Sequence, residues 1–183
     1  MDILAHALYG ATLCSRTGLA GGRQGANRPW HRDPSFWWAA VFGVLPDALS
    51  MWLPFLAHAA SGAPGNFFHD FGGGWLTLYR AVHNLLAPLI VSALLYVFWR
   101  RLFVPSVAWT AHVALDAVSH GAGKFQTLLF YPFSGWGIVG IAWWRSAWFF
   151  AGYWSVLIAL WLLLRLWRGA ARVRRGRPGG DGA

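Results

Sequence analysis

Residues 103–120 read Phe103-Val104-Pro105-Ser106-Val107-Ala108-Trp109-Thr110-Ala111-His112-Val113-Ala114-Leu115-Asp116-Ala117-Val118-Ser119-His120. The run carries no Lys, Arg or Glu and approaches the ~20 helical residues needed to cross a ~30 Å hydrocarbon core. Working outward, three further stretches share this character, near 35–58, 82–99 and 147–167. A fifth, near 3–19, is shorter and stops against Arg16. It crosses if Arg16 snorkels to the headgroups, and otherwise lies in the interface. Gly/Arg-rich residues 18–33 and Gly-rich residues 61–74 read as loops, and 121–146 is mixed, with Pro132 and several Gly. The sequence therefore predicts an all-α, multi-pass transmembrane bundle of four to five spans with a polar cavity between helices. That single domain covers 1–167, and a basic, disordered cytoplasmic tail follows over 168–183.

The composition agrees. Of 183 residues, 57% are hydrophobic and 11% charged, with fourteen Trp, thirteen Phe and no Glu. A soluble domain of this length has too little interior to bury so much apolar surface. An ordinary cytosolic enzyme and a disordered chain are excluded on that ground. The net charge of +9 comes from fourteen Arg and one Lys against six Asp. With the N-terminus outside and five crossings, twelve of the fifteen basic residues fall on the cytoplasmic side, leaving Arg80, Lys124 and Arg145 opposite. The excess is thus a topology signal, and no nucleic-acid partner is expected. The single Cys14 excludes an internal disulfide and a multi-cysteine zinc site. Met1-Asp2-Ile3-Leu4 lacks the basic start of a cleaved signal peptide.

Ionisable residues inside apolar spans are costly and call for an explanation. His112, Asp116 and His120 drift only about 80° around a helix over two turns, so they share a face. A His and an Asp one turn apart can bind one metal ion. His120 lies ~12 Å along the axis from His112 and would serve a second ion or carry a proton. Asp47 follows Pro46 inside the second span, where proline frees backbone groups that only a protein-lined cavity tolerates. His83 opens the third span three residues after Arg80, and His6 lies near the outer start of the first. The same residues also fit a satisfied hydrogen-bond network that locks helix packing, or an ion path along His112, Asp116 and His120. His69 and Asp70 read as a solvated loop pair, and His31, Asp33 and His58 are set aside. Ser134 has no nearby base or Gly-x-Ser-x-Gly context, against a serine hydrolase.

In order, His6, Pro46-Asp47, Arg80-x-x-His83, His112-x3-Asp116-x3-His120 and Phe130-Tyr131-Pro132-Phe133-Ser134 resemble the membrane-bound, metal-dependent hydrolases. That family is often described as LexA-binding and inner-membrane-associated. Met1–Leu8 and 112–144 look most like it. Where the family shows His-Arg-x-x-Thr-His-Ser, this chain has Tyr79-Arg80-Ala81-Val82-His83-Asn84, so the first His, the Thr and the Ser are replaced. More distantly, the ligand order is similar to that of zinc-dependent phospholipase C enzymes. Their later His-x3-Glu is missing here, which leaves one or two ions.

The resemblance implies a metal-dependent hydrolase in the bacterial inner membrane with a cytoplasmic C-terminus. The expected cofactor is a divalent ion, Zn²⁺ by the chemistry of imidazole and carboxylate donors. His112, Asp116 and Asp47 are the expected ligands, with His83, His120 and His6 as further ligands or proton carriers. Arg80 is expected to clamp an anionic oxygen. A site at headgroup level suggests a lipid or lipid-linked ester or phosphoester as substrate and the bilayer itself as partner. The rival expectation is a non-catalytic membrane protein whose basic tail binds lipid or a cytoplasmic partner.

Overall fold

A computed structural model describes residues 1–22, 29–62 and 66–175, without the side chains of 70 and 171–175. The described residues form helices α1 (Ile3–Cys14), α2 (Pro34–Asp47), α3 (Leu53–Ser61) and α4 (Phe67–Asp70). After these come α5 (Gly73–Val82), α6 (Leu86–Phe98), α7 (Arg100–Ser119) and α8 (Ala147–Arg175). No strand occurs among them, and 121–146 is irregular apart from a bridge between Leu128 and Gly137 and a short turn at Trp143–Arg145.

Among the described residues, three helical segments are long and apolar enough to cross a membrane: Pro34–Ser61, Arg100–Ser119 and Ala147–Ala170. The pair α5 and α6 meets the same test only jointly, and it is bent by 54°. The span expected at 82–99 is helical over 86–98 as α6; α5 precedes it, starting at Gly73 in the stretch read as a loop, and the two are broken at His83–Leu85. The cause is Asn84, whose Oδ1 accepts from the N–H groups of Leu86 and Ala87 while its Nδ2 donates to the carbonyls of Arg80 and Ala81. The expected segment 3–19 also shortens. Helix α1 has 12 residues, about 18 Å of axial rise, and is too short to count as a span. The tail expected to be disordered from 168 is helical as far as Arg175 in α8, and 176–183 lie outside the described residues.

Helix α2 runs into α3 through a π turn over Ala48–Trp52, in which the Leu53 N–H reaches Ala48 O five residues back. Pro46 sits just before it, and Ser50 Oγ donates to Pro46 O at 2.7 Å. Such single π turns often mark functional positions. This one follows Asp47 directly.

Helix α1 lies antiparallel to α2 and also packs on α7. The approach depends on two glycines, since a Cβ at Gly10 would meet Ala39 O at 2.8 Å and one at Gly43 would meet His6 O at 2.6 Å. Small residues serve membrane helices in this way, letting backbones touch. Phe42, Trp109 and Val113 fill the core beneath, and Trp109 Nε1 donates to Val82 O at 2.9 Å. Helix α8 is attached mainly through Tyr153 and Leu157, which pack on Met1, Ala5 and Tyr9. At its far end Arg168 Nη2 donates to Gly18 O at 2.7 Å, which brings the Arg16 and Arg168 segments to one end of the bundle.

Candidate metal centre

Asp47, His83, His112 and Asp116 come from three separate segments, and one ligand atom from each lies within 4.8 Å of all the others. His112 and Asp116 face the centre because they are one turn apart on α7. Asp47 arrives at the end of α2, just before the π turn. His83 arrives at the α5–α6 break, where the chain turns its ring inward. His83, His112 and Asp116 are buried to within 1% of full exclusion, and Asp47 is the member with an exposed edge.

The protons on the two imidazoles are fixed by carbonyls, which can only accept. His112 Nδ1 donates to Gly43 O at 2.7 Å, and His83 Nδ1 donates to Tyr79 O at 3.0 Å. In the neutral rings both Nε2 atoms therefore carry lone pairs. Those lone pairs face carboxylate oxygens: His112 Nε2 is 3.2 Å from Asp116 Oδ2, and His83 Nε2 is 3.5 Å from Asp116 Oδ2 and 3.3 Å from Asp47 Oδ1. Among the described residues, His112 Nε2 and Asp116 Oδ2 have no hydrogen-bond partner. Acceptors converging on acceptors in a buried site are costly unless a cation or extra protons sit between them. This buried His/Asp group can hold a metal ion.

Asp116 has a second side. Its Oδ1 accepts from the Met1 amine at 2.9 Å and faces His6 Nε2 at 2.9 Å and His120 Nδ1 at 3.2 Å. The Met1 amine also donates to Ser119 Oγ at 2.8 Å. His6 stacks on His112 with ring centroids 3.8 Å apart. Of the six expected metal ligands, four form the group, while His6 and His120 gather on the opposite carboxylate oxygen. Arg80 is half-buried one turn before His83, and its Nε has no partner. It is not part of this network.

Four contributors were not anticipated. Met1's amine and Ser119 complete the Oδ1 side, while the Gly43 and Tyr79 carbonyls set the tautomers of His112 and His83. Tyr79 also stacks on His83 at 4.0 Å and donates from Oη to Phe125 O at 3.0 Å. Both carbonyl acceptors had a local signal, because Tyr79 is one helical turn before His83 and Gly43 one turn before Asp47. Such carbonyl partners aim a ligating histidine and fix its tautomer.

The residues first set aside lie away from the centre. Asp33 caps α2, accepting from Ser35 N at 3.0 Å and Thr17 N at 2.9 Å. His31 falls in the turn before it, His58 on α3 and His69 on α4. No family model matches the chain, and neither a curated protein nor a solved structure does.

Proposed function

We propose that this chain is a membrane-embedded, metal-dependent hydrolase acting on an ester or phosphoester of a lipid or lipid-linked substrate. The observation that carries the reading is the convergence of two imidazole Nε2 atoms and two carboxylates, with His112 Nε2 and Asp116 Oδ2 left without a hydrogen-bond partner among the described residues. Two neutral imidazoles and two carboxylates suit one Zn²⁺, while the Met1 amine already occupies the His6/His120 side of Asp116. An ion held there supplies Lewis acidity, acidifying water and drawing charge from a phosphoryl or acyl oxygen. The chain's own groups do the rest. Asp116 bridges the ligand group to His6 and His120. His120, 13% exposed, is the proton carrier between Asp116 Oδ1 and the cavity described below. Arg80 offers positive charge to an anionic group entering beside His83.

The described basic residues support a placement in an inner membrane with the centre toward the outer face. Arg16, Arg100, Arg165 and Arg168 cluster at the end away from His83 and His120 in the expected topology, so that end is cytoplasmic under the positive-inside rule. The number of crossings is then four, or five if α1 crosses beside α2.

The test is metal analysis of the purified chain and its Asp47→Ala, His83→Ala, His112→Ala and Asp116→Ala variants, alongside release of phosphate or alcohol from lipid esters. Loss of bound metal in the variants is expected. Unchanged metal content in all four overturns the reading. One observation favours the non-catalytic rival: Asp116 Oδ1 is well supplied with hydrogen-bond donors, as in a packing network. Bound metal without turnover on any ester would favour that rival.

A further inference from the structure

The exposed edge of the metal centre opens into a cavity of roughly 790 Å³. Its floor is Asp47 and His120, and its walls are chiefly aromatic, from Trp52, Phe55, Phe68, Phe125, Trp143 and Trp144. These rings come from four separate segments, so the cavity is a product of the fold and not of one apolar run. Lys124 Nζ donates to the carbonyls of Phe68, His69 and Phe71, pinning the α4 wall to the loop that carries Phe125. Asp2 also lines the cavity, but its carboxylate is engaged by Ala5 N, Tyr153 Oη and Trp154 Nε1. The chamber thus has one polar end, at the ligand group, and an apolar body. Trp52 and Trp144 are each 50% exposed, so the body is open to the surroundings of the spans.

We propose that this cavity is the tail site for a single-chain aliphatic phosphoester, an alkyl or prenyl phosphate, with its phosphate at the Asp47/His120 floor. The volume falls within the ~300–1,000 Å³ that encloses one medium-sized apolar ligand, which suits one chain. The inference rests on the reading that the centre holds a cation, because Asp47 and Asp116 alone would repel a phosphate.

The probe is a hexadecylphosphonate carrying a photoreactive diazirine at its far end, which cannot be hydrolysed. It is added to the full chain in phosphatidylcholine vesicles. Crosslinks are expected on the peptides bearing Trp52, Phe55 or Phe68, competed by dodecyl phosphate and not by butyl phosphate at equal concentration. Met51→Trp, which fills the cavity, is expected to cut this labelling about tenfold with bound metal unchanged. If that variant does not fold, the partly exposed pair Trp52→Ala/Phe55→Ala is expected to cut it about fivefold. Labelling confined to the outward face of α8 around Leu162–Leu166 overturns the proposal. Equal competition by butyl phosphate also overturns it, leaving a site that reads only the head group. Cavity labelling without phosphate release from hexadecyl phosphate upholds the tail site and removes the hydrolase reading. Phosphate release without cavity labelling does the reverse.

Discussion

Asp33 and Asp116 are buried equally, at 0% and 1% exposure, at opposite ends of the same helical core. Asp33 is fully used. Two backbone N–H groups and the Ser35 hydroxyl, at 2.8 and 2.9 Å from its two oxygens, donate to it. Ser35 Oγ in turn accepts from Arg16 N at 2.8 Å, tying the end of α1 to the start of α2. Asp116 has donors on one oxygen and only acceptors before the other. A buried carboxylate surrounded by donors is a structural element complete in itself. One that faces lone pairs requires a positive partner.

The sharpest way to break this contrast is to exchange the fates of the two residues. Asp116→Ala is expected to abolish stoichiometric metal binding and lower any phosphoesterase rate by ~10³-fold or more, read by metal analysis and turnover. Asp33→Ala should leave metal content intact. A smaller effect is expected from Gly43→Val, whose Cβ would collide with His6 O and tilt the carbonyl that aims His112. Metal affinity should fall ~10–100-fold, measured by competition with a chromogenic chelator. Asp33→Ala is expected to cost ~1–2 kcal/mol through loss of the α2 cap, seen as a lower unfolding midpoint with unchanged metal content.

The smallest predicted effect is in pH. Burial works to raise the Asp33 pKa, but the hydrogen bonds from Ser35 and Thr17 outweigh it and hold the carboxyl below its usual range. A lowered folded pKa means that the stabilisation is present above the unfolded value of ~3.9 and fades as pH falls through the folded one. Melting curves between pH 6 and pH 3 should therefore show an acid-side loss that Asp33→Asn flattens.

Much of this is legible in the sequence. His112 and Asp116 could be paired because one helical turn is a local distance, and Asp47 drew notice as a carboxylate after proline in an apolar run. Helix existence followed from hydropathy alone. The arrangement around Asp116 was harder to read. His120 and His112 share a helix face, yet they serve opposite oxygens of one carboxylate, a distinction set by rotamers and not by spacing. His6 reaches Asp116 only because Gly10 and Gly43 allow two backbones to meet, a tertiary fact with no local period. Arg80, one turn from His83, lies outside the ligand network because the helix breaks just after it. Asp33 was set aside as a loop residue, and its role as a cap became visible only once Thr17 was brought beside it.

The bend at His83–Leu85 has a further consequence. Proline breaks a membrane helix by leaving carbonyls to be satisfied by something else. Asn84 breaks this one while closing both ragged ends with its own amide, two carbonyls on one side and two N–H groups on the other. At the same corner Val82 O accepts from Trp109 Nε1 of α7 and Leu85 N–H donates to Leu129 O, so the bend is closed partly by its own amide and partly by its neighbours. The corner that sets His83 is thus tied directly to α7, the helix that carries His112 and Asp116.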